Sequence, residues 1–370
     1  MALNKINETH QLGPMSSFFL IQVTQIGIGF FSFQQPLSRF SAQDAWVACL
    51  IGGLSSLGVM WLILRLLENE HKYGRADLFS IHTRIFGKWI GGVLNLATII
   101  FFMLYAAIYL RSYIEILQVW IFPQLSILVF TALFCLLIAY IVLGGMRTIG
   151  GIFLLSFVYM IPLYAETVFA VPGAHFSNLL PLFDHGPKSL LLSVFYSIHI
   201  YLGSEMILFY YPFIKHPEQA KKWCYFALLD TLFIYLMIMI LGTAYFSQGE
   251  MKLTIWPTVT FWKSITFPLF EHVDMINIVY MIWILLPSMA LSAWIVSRGI
   301  KLTFPVIRQK YALIFVLAVF IVVAEIVYNG ELVATANALF SKLGFCFNYI
   351  YIPLLLLCQW IVKKVKGEPA

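Results

Sequence analysis

Charged residues are scarce in this sequence, and that scarcity limits the class of protein. Only 11% of the 370 residues are Asp, Glu, Lys or Arg, whereas an ordinary soluble domain carries about 25%. Hydrophobic residues account for 61%, and the mean hydropathy is +0.88. The apolar runs are also far longer than the roughly 10-residue alternating strands of a membrane β-barrel. The composition therefore excludes a soluble domain and predicts an all-α polytopic protein of the lipid bilayer.

The sequence also lacks the motifs of enzymes, metal sites and cofactor sites. No two of its five cysteines have the spacing of a metal or redox site, so we expect them to be buried apolar side chains. A nucleophile elbow, a zinc motif and a phosphate-binding loop are all missing. We expect no enzymatic activity, no cofactor and no metal. The net charge of +6 comes from basic residues spread over loops, so no nucleic-acid partner is expected. Because the start of the chain is polar, we expect no cleavable signal there.

Ten apolar segments are long enough to cross a bilayer, which takes about 20 residues. They are 12–36, 43–67, 88–114, 118–143, 148–171, 189–213, 222–246, 274–297, 311–328 and 335–362. With the N-terminus in the cytoplasm, 17 of the 23 Lys and Arg residues, Lys5 and Arg75 among them, fall on the inner side. This asymmetry agrees with the positive-inside rule and predicts that both termini are cytoplasmic.

The sequence predicts the structure of two of the connections between these spans. Spans four and five are separated only by the turn at Gly144-Gly145. The longest connection, 247–273, contains Trp256-Pro257 and Phe267-Pro268. We expect it to be partly helical and to fold over one mouth of the molecule.

Two spans carry a sign of interruption near their middle. The first contains Gly27 and Gly29, and glycine costs roughly 1 kcal/mol relative to alanine inside a helix. The sixth contains Leu202-Gly203-Ser204-Glu205. Open backbone at membrane depth is tolerated only against protein or a water-filled cavity. Two breaks five spans apart predict one domain over 1–370, built as inverted repeats at 12–171 and 189–362 with a small-molecule site between the breaks. The alternative is that the glycines only allow close helix packing.

Several short stretches carry a resemblance to a known family, namely 24–29, 43–46, 87–91, 202–209, 255–258 and Trp283. Together they resemble the endospore germination permease family, the B subunits of nutrient germinant receptors within the amino acid–polyamine–organocation superfamily. The resemblance covers nearly the whole chain. One departure is Phe33-Gln34-Gln35-Pro36, where family members tend to have a Leu-Pro-Arg-like ending.

The resemblance implies a nutrient sensor of the spore inner membrane that acts with an A subunit and a lipoprotein C subunit. A bound germinant would trigger ion release and the exit from dormancy. By analogy with the superfamily, the pocket would lie between spans one, three, six and eight. The backbone of span one would meet a ligand carboxylate, carbonyls and a hydroxyl of span six would meet an ammonium group, and Tyr105 would cap the pocket. The implied ligand-binding residues are Thr24, Gln25, Gly27, Gly29, Tyr105, Leu202, Gly203, Ser204, Glu205, Ser288 and Ser292. The two serines of span eight share one face, and bonding to their own helix is the alternative for both.

Charges inside membrane spans are expensive and mark functional candidates. Glu205 is the best candidate for a proton or ammonium partner, and its alternative is a structural anchor bonded to N–H groups of the first span. Arg111 and Glu115, four residues apart, are expected to pair. His199 is expected to be a hydrogen-bonded core residue, although its type permits a pH switch. Other charges at membrane depth are Glu166, Asp230 and Glu325, and Lys342 is expected to snorkel outward. Span five has no lysine, so no coupling ion is assigned.

Three functions remain open from the sequence. The first is a receptor subunit that binds a small nutrient, expected to be an amino acid, and triggers germination through its partners. The second is a proton-coupled amino acid permease, and the third is an ion or water conduit gated by partner subunits.

Overall fold

A computed structural model describes residues 11–74, 76–265 and 272–366, so Lys5, Arg75 and Phe267-Pro268 lie outside the described residues. Within these ranges there is no β-strand, and an isolated bridge joins Leu12 to Ile214. The predicted all-α architecture is confirmed. The α-helices are α1 Ser16–Ile26, α2 Gln34–Ser41, α3 Ala45–His71, α4 Leu78–Trp120, α5 Ile127–Leu143, α6 Met146–Ala165, α7 Pro187–Ser197, α8 Ile207–Tyr210, α9 Ala220–Tyr245, α10 Gln248–Leu253, α11 Pro257–Lys263, α12 Val273–Tyr280, α13 Ile282–Thr303, α14 Gln309–Ile326, α15 Gly330–Phe345 and α16 Ile352–Val365.

Seven helical stretches of the described chain are long and apolar enough to cross a membrane. A bent pair of helices, Pro187–Tyr201 and Ser204–Phe213, passes the same test as one broken span. The predicted spans one and four coincide with the shorter apolar helices α1 and α5. A polytopic membrane protein is therefore confirmed, whereas the count of ten spans and the inverted repeat of the two halves stay predictions. The seven long stretches are Gln34–His71, Leu78–Trp120, Met146–Gly173, Pro217–Tyr245, Val273–Thr303, Gln309–Ile326 and Gly330–Val365.

The first apolar segment is interrupted at the predicted glycines. Helix α1 ends at Ile26, where Gly27 adopts φ −16° and ψ −160°. A 3-10 helix, Ile28–Phe31, follows before α2 begins. The predicted end of span one at residue 36 falls within α2, which belongs to the same long helical stretch as α3.

The sixth segment is interrupted at the predicted Gly203. A 3-10 turn, Ile198–Tyr201, ends α7, and a second one, Ser204–Met206, precedes α8. Gly203 lies between them at φ +113°, a left-handed conformation that favours glycine because it has no Cβ. The two halves of this span meet at a bend of 43°.

The third and fourth spans differ from the predicted boundaries. Helix α4 runs to Trp120, so the predicted start of span four at residue 118 is wrong. Span four instead begins with α5, where the hydroxyl of Ser126 accepts a hydrogen bond from the amide of Val129. Such a side-chain cap satisfies an otherwise unpaired amide at the start of a helix. Gly145, at φ +81°, forms the predicted turn before α6.

The long connection after α9 is partly helical, as predicted. It contains α10 and α11, and α10 packs on α2. In the molecule's interior, α1 packs against α6, α9 and α13. The two interrupted segments also contact each other through the 3-10 turns at their breaks, and this contact positions the site.

Candidate functional site

A cavity of about 110 Å³, called the inner cavity below, lies where the two interrupted segments meet. It is small beside the roughly 300–1,000 Å³ of pockets that take drug-sized ligands, so its size suits a small solute. Its walls come from both breaks and from α4, α9 and α15. The lining residues are Thr24, Gln25, Gly27, Ile28, Gly29, Ser32, Tyr105, Tyr109, Ser112, His199, Ile200, Leu202, Tyr235 and Asn337.

Helix α4 holds the first break open through Tyr109. The hydroxyl of Tyr109 accepts a hydrogen bond from the amide of Ile28 at 2.7 Å, so an amide that the broken helix leaves free is satisfied. The same hydroxyl lies only 1.5 Å from where a Cβ on Gly27 would be. Glycine at position 27 is therefore required by this contact, whereas a Cβ on Gly29 would meet nothing within 4 Å.

Gln25 joins the two breaks to each other. Its side-chain amide donates to the main-chain carbonyl of Tyr201 at 2.7 Å, and its main-chain carbonyl accepts from the hydroxyl of Tyr235 at 2.8 Å. The carbonyl groups at the ends of broken helices have no partner within the helix. These two bonds satisfy one such carbonyl in each interrupted segment and fix the segments relative to α9.

The second break is stabilised within its own segment. The carboxylate of Glu205 accepts a hydrogen bond from the amide of Gly203 at 2.8 Å, and Asn348 faces the same carboxylate. The predicted alternative for Glu205 is an anchor bonded to N–H groups of the first span. The carboxylate instead binds the N–H group of Gly203, in its own segment. A Cβ on Gly203 would lie 2.7 Å from the methyl group of Thr24, so the two breaks are in van der Waals contact at this glycine.

Polar atoms without protein partners remain in the walls of the inner cavity. Among the described residues, the side-chain oxygen of Gln25 and Nδ1 of His199 are buried without a hydrogen-bond partner. Asn337 donates its side-chain amide to the hydroxyl of Ser112 at 2.8 Å, and its side-chain oxygen makes no hydrogen bond within the described chain. A buried unpaired polar group costs about 1–3 kcal/mol, so the buried atoms of Gln25 and His199 favour a polar occupant.

A second cavity of about 170 Å³, called the outer cavity below, adjoins the first. It extends past Pro36 and Leu37 of α2, at the predicted outer end of span one, and past Tyr196 of α7, in the predicted outer half of span six. Both cavities are lined by Gly29, Ser32, His199, Ile200 and Asn337. The shared walls form one path from the breaks toward the predicted outer side.

The structure brings some of the predicted site residues together and separates others. Ser204 and Glu205 are buried beside the second break with Gly203 but do not line the inner cavity. Ser288 and Ser292 on α13 line neither cavity, and their hydroxyls donate to the carbonyls of Ile284 and Ser288. Their role as ligand contacts stays a prediction. Six predicted residues line the inner cavity, namely Thr24, Gln25, Gly27, Gly29, Tyr105 and Leu202.

Several residues of the inner cavity were missing from the sequence prediction. Tyr109 and Ser112 lie four and seven positions after Tyr105, so helical spacing was a signal that places them on its face. Asn337 is a polar residue inside an apolar span, which was also a signal. No sequence pattern distinguished Tyr235 of α9 from the other aromatic residues. Spans seven and ten therefore contribute to the cavity, in addition to spans one, three and six.

The remaining charges at membrane depth have varied surroundings. Arg111 and Glu115 pair at 2.9 Å, which confirms the prediction. Glu166 accepts a hydrogen bond from the side chain of Asn277, and Asp230 lies near Gln22. His199 lines both cavities, and its Nδ1 has no hydrogen-bond partner among the described residues, which differs from the expected hydrogen-bonded core residue. Glu325 and Lys342 are both exposed on the protein surface.

Comparison with known proteins identifies the family. A family model described as "Spore germination protein" matches residues 11–331. The chain is 32% identical to spore germination protein GerQB of Bacillus cereus, over 98% of this chain and 99% of that protein. Identity is 23% to spore germination protein B2 of Bacillus subtilis, over 70% of each chain. It is 21% to spore germination protein A2 of the same organism, over 84% of this chain and 85% of that one. The chain is an integral membrane protein that belongs to the spore germination permease family.

Proposed function

We propose that this chain is the membrane subunit of a germinant receptor and binds a small nutrient, expected to be an amino acid, in the inner cavity. Binding triggers germination together with the A and C subunits in the spore inner membrane. The observation that carries the proposal is a small cavity at two facing helix breaks, walled in part by unpartnered polar atoms.

The chemistry of the breaks suits a solute that carries both charges. Main-chain N–H groups at a helix start attract anions, and carbonyls at a helix end attract cations. A free amino acid presents a carboxylate and an ammonium group close together. Its carboxylate would meet the first break around Gly27 and Gly29, and its ammonium group would meet the second break around Leu202.

Signalling requires that the nutrient favour one conformation over another. A ligand with equal affinity for two states shifts neither, and moving a population from 1:99 to 99:1 takes about 10⁴-fold preference. A nutrient that contacts both breaks would have such a preference. Any movement of one interrupted segment against the other would change both sets of contacts to the nutrient. The partner subunits would then respond to the shifted equilibrium.

The test uses spores in which this receptor is the only nutrient receptor. Gly27→Leu and Gly203→Leu should abolish the germination response while the protein remains in the membrane, because each side chain would collide with the opposing wall. Gly151→Leu is the matched control, since a Cβ there meets nothing within 4 Å. A normal dose–response in both cavity variants would show that the nutrient does not bind in the inner cavity.

Transport is tested separately. The receptor proposal predicts no concentrative uptake of labelled amino acid into proteoliposomes that contain this chain alone. Robust uphill uptake would instead favour the proton-coupled permease. This outcome would retain the binding cavity and replace signalling by transport.

A further inference from the structure

The junction between the inner and outer cavities has its own chemistry. His199 and Asn337 both line the two cavities, from the sixth span and from α15 respectively. A molecule that reaches from the breaks toward the outer cavity passes the residues that line both cavities, and His199 and Asn337 are the two of these with a ring nitrogen or an amide group. The part of a nutrient that extends beyond its contacts with the breaks is therefore brought near these two side chains.

Both side chains carry hydrogen-bonding atoms that the described part of the protein does not use. Nδ1 of His199 is buried and unpartnered. The side-chain amide nitrogen of Asn337 donates a 2.8 Å hydrogen bond to the hydroxyl of Ser112. This bond leaves the side-chain oxygen of Asn337 available. The pair can thus offer both a donor and an acceptor, because a neutral imidazole provides either according to its tautomer.

No charged side chain lines either cavity among the described residues. A net charge on the extending part of a ligand would therefore lack a partner of opposite sign at membrane depth, where unpaired charge is strongly unfavourable. An apolar group would leave the atoms of His199 and Asn337 unpaired. A neutral hydrogen-bonding group, such as a hydroxyl or a carboxamide, meets both conditions.

We propose that this junction is a specificity subsite, in which His199 and Asn337 bind an uncharged hydrogen-bonding group of the nutrient. The proposal rests on the proposed function, since it assumes that the nutrient occupies the inner cavity. It adds the class of side group that the site selects and the two residues that select it.

The experiment measures potency ratios in spores whose only nutrient receptor is this one. The probes are L-asparagine against L-leucine and L-threonine against L-valine, because the members of each pair are similar in size and differ in hydrogen bonding. A potency ratio within a pair does not depend on the amount of receptor. We expect wild-type spores to respond at lower concentrations to L-asparagine and L-threonine than to their partners.

His199→Phe and Asn337→Leu should each reduce these ratios about tenfold, because one hydrogen bond to the neutral group is lost. His199→Gln should retain most of the preference, since it keeps a donor and an acceptor. The matched controls are His175→Phe, at an exposed loop position, and Asn178→Leu, which also loses one bond to another residue. Both controls should keep the wild-type ratios.

The outcomes separate the subsite from the proposed function. Equal potencies within both pairs in wild-type spores, or ratios unchanged in both His199→Phe and Asn337→Leu, would overturn the subsite alone. A wild-type response to none of the four amino acids would overturn the amino acid proposal and the subsite together. Equal loss of response to both members of a pair in a variant would show a structural role and would also overturn the subsite.

Discussion

At the scale of single residues, Glu205 differs from the other charges at membrane depth because it supports the site without lining it. Its carboxylate binds the amide of Gly203, and it lies within electrostatic reach of Tyr105, which lines the inner cavity. It can therefore act through the geometry of the break, through its charge, or through both.

Two substitutions separate these effects of Glu205. Glu205→Gln keeps an oxygen that can accept from Gly203, so we expect a folded protein whose nutrient response is weakened by the loss of charge. Glu205→Ala leaves that amide unpaired, at a cost of about 1–3 kcal/mol, and should also lower the melting temperature. Germination dose–response and thermal unfolding in detergent measure the two effects. An unchanged response in Glu205→Gln would reduce Glu205 to a packing role.

At the scale of helices, the sequence located both breaks but only part of the cavity. Gly27 and Gly203 could be found because glycine in the middle of an apolar span is locally unfavourable. The cavity-facing residues of α4 and α15 had weaker signals, namely the helical spacing of Tyr109 and Ser112 and the polar Asn337, and these signals do not show which helices meet. Asn337 and Ser112 contact each other across 225 positions, and no local pattern in one sequence encodes such a pairing.

Helix irregularities without glycine were also missed. The last apolar span contains a π-helical turn, Cys346–Tyr351, between α15 and α16. Asn348 within it faces Glu205, and the hydroxyl of Tyr351 binds His82 at 2.6 Å. The irregular turn thus places two polar side chains against different neighbours. Pro353 follows the turn at the start of α16 and has no N–H group to donate to a carbonyl within the turn, so this proline was a sequence signal that the prediction overlooked.

The first break provides a prediction about an element. Tyr109→Phe removes the acceptor for the Ile28 amide, and this should loosen the segment between α1 and α2. Hydrogen–deuterium exchange of peptides that cover residues 27–33 should become faster, whereas exchange in α1 should not change. Tyr140→Phe is the control, because Tyr140 is 77% exposed. Equal exchange of this segment in both variants would mean that Tyr109 does not hold the break.

At the scale of the whole molecule, α9 defines the two ends of the structure. It is 26 residues long, which corresponds to about 39 Å. Lys222 is exposed near its start, and the side chain of Asn178 donates to the carbonyl of Ala244 near its end. Asn178 and Lys222 therefore lie at opposite ends of a membrane-spanning helix.

This arrangement predicts sidedness when combined with the distribution of basic residues. A cysteine placed at Asn178 should react with a membrane-impermeant thiol reagent added outside intact cells, and a cysteine at Lys222 should react only after permeabilisation. Cys49, Cys135 and Cys224 are buried, whereas Cys346 is exposed and Cys358 is half-buried, so the expectation that all five cysteines are buried is wrong for these two. The labelling therefore uses a background that carries Cys346→Ser and Cys358→Ser. Labelling of Lys222→Cys from outside would reverse the predicted orientation and would place the outer cavity on the cytoplasmic side.

The most direct measurement is a cryo-electron microscopy structure of the receptor complex with a nutrient that triggers germination. Our account predicts nutrient density in the inner cavity, in contact with the main chain at Gly27 and Leu202, with both helices interrupted around it. Density at another place, or two unbroken helices with no hollow between them, would contradict it.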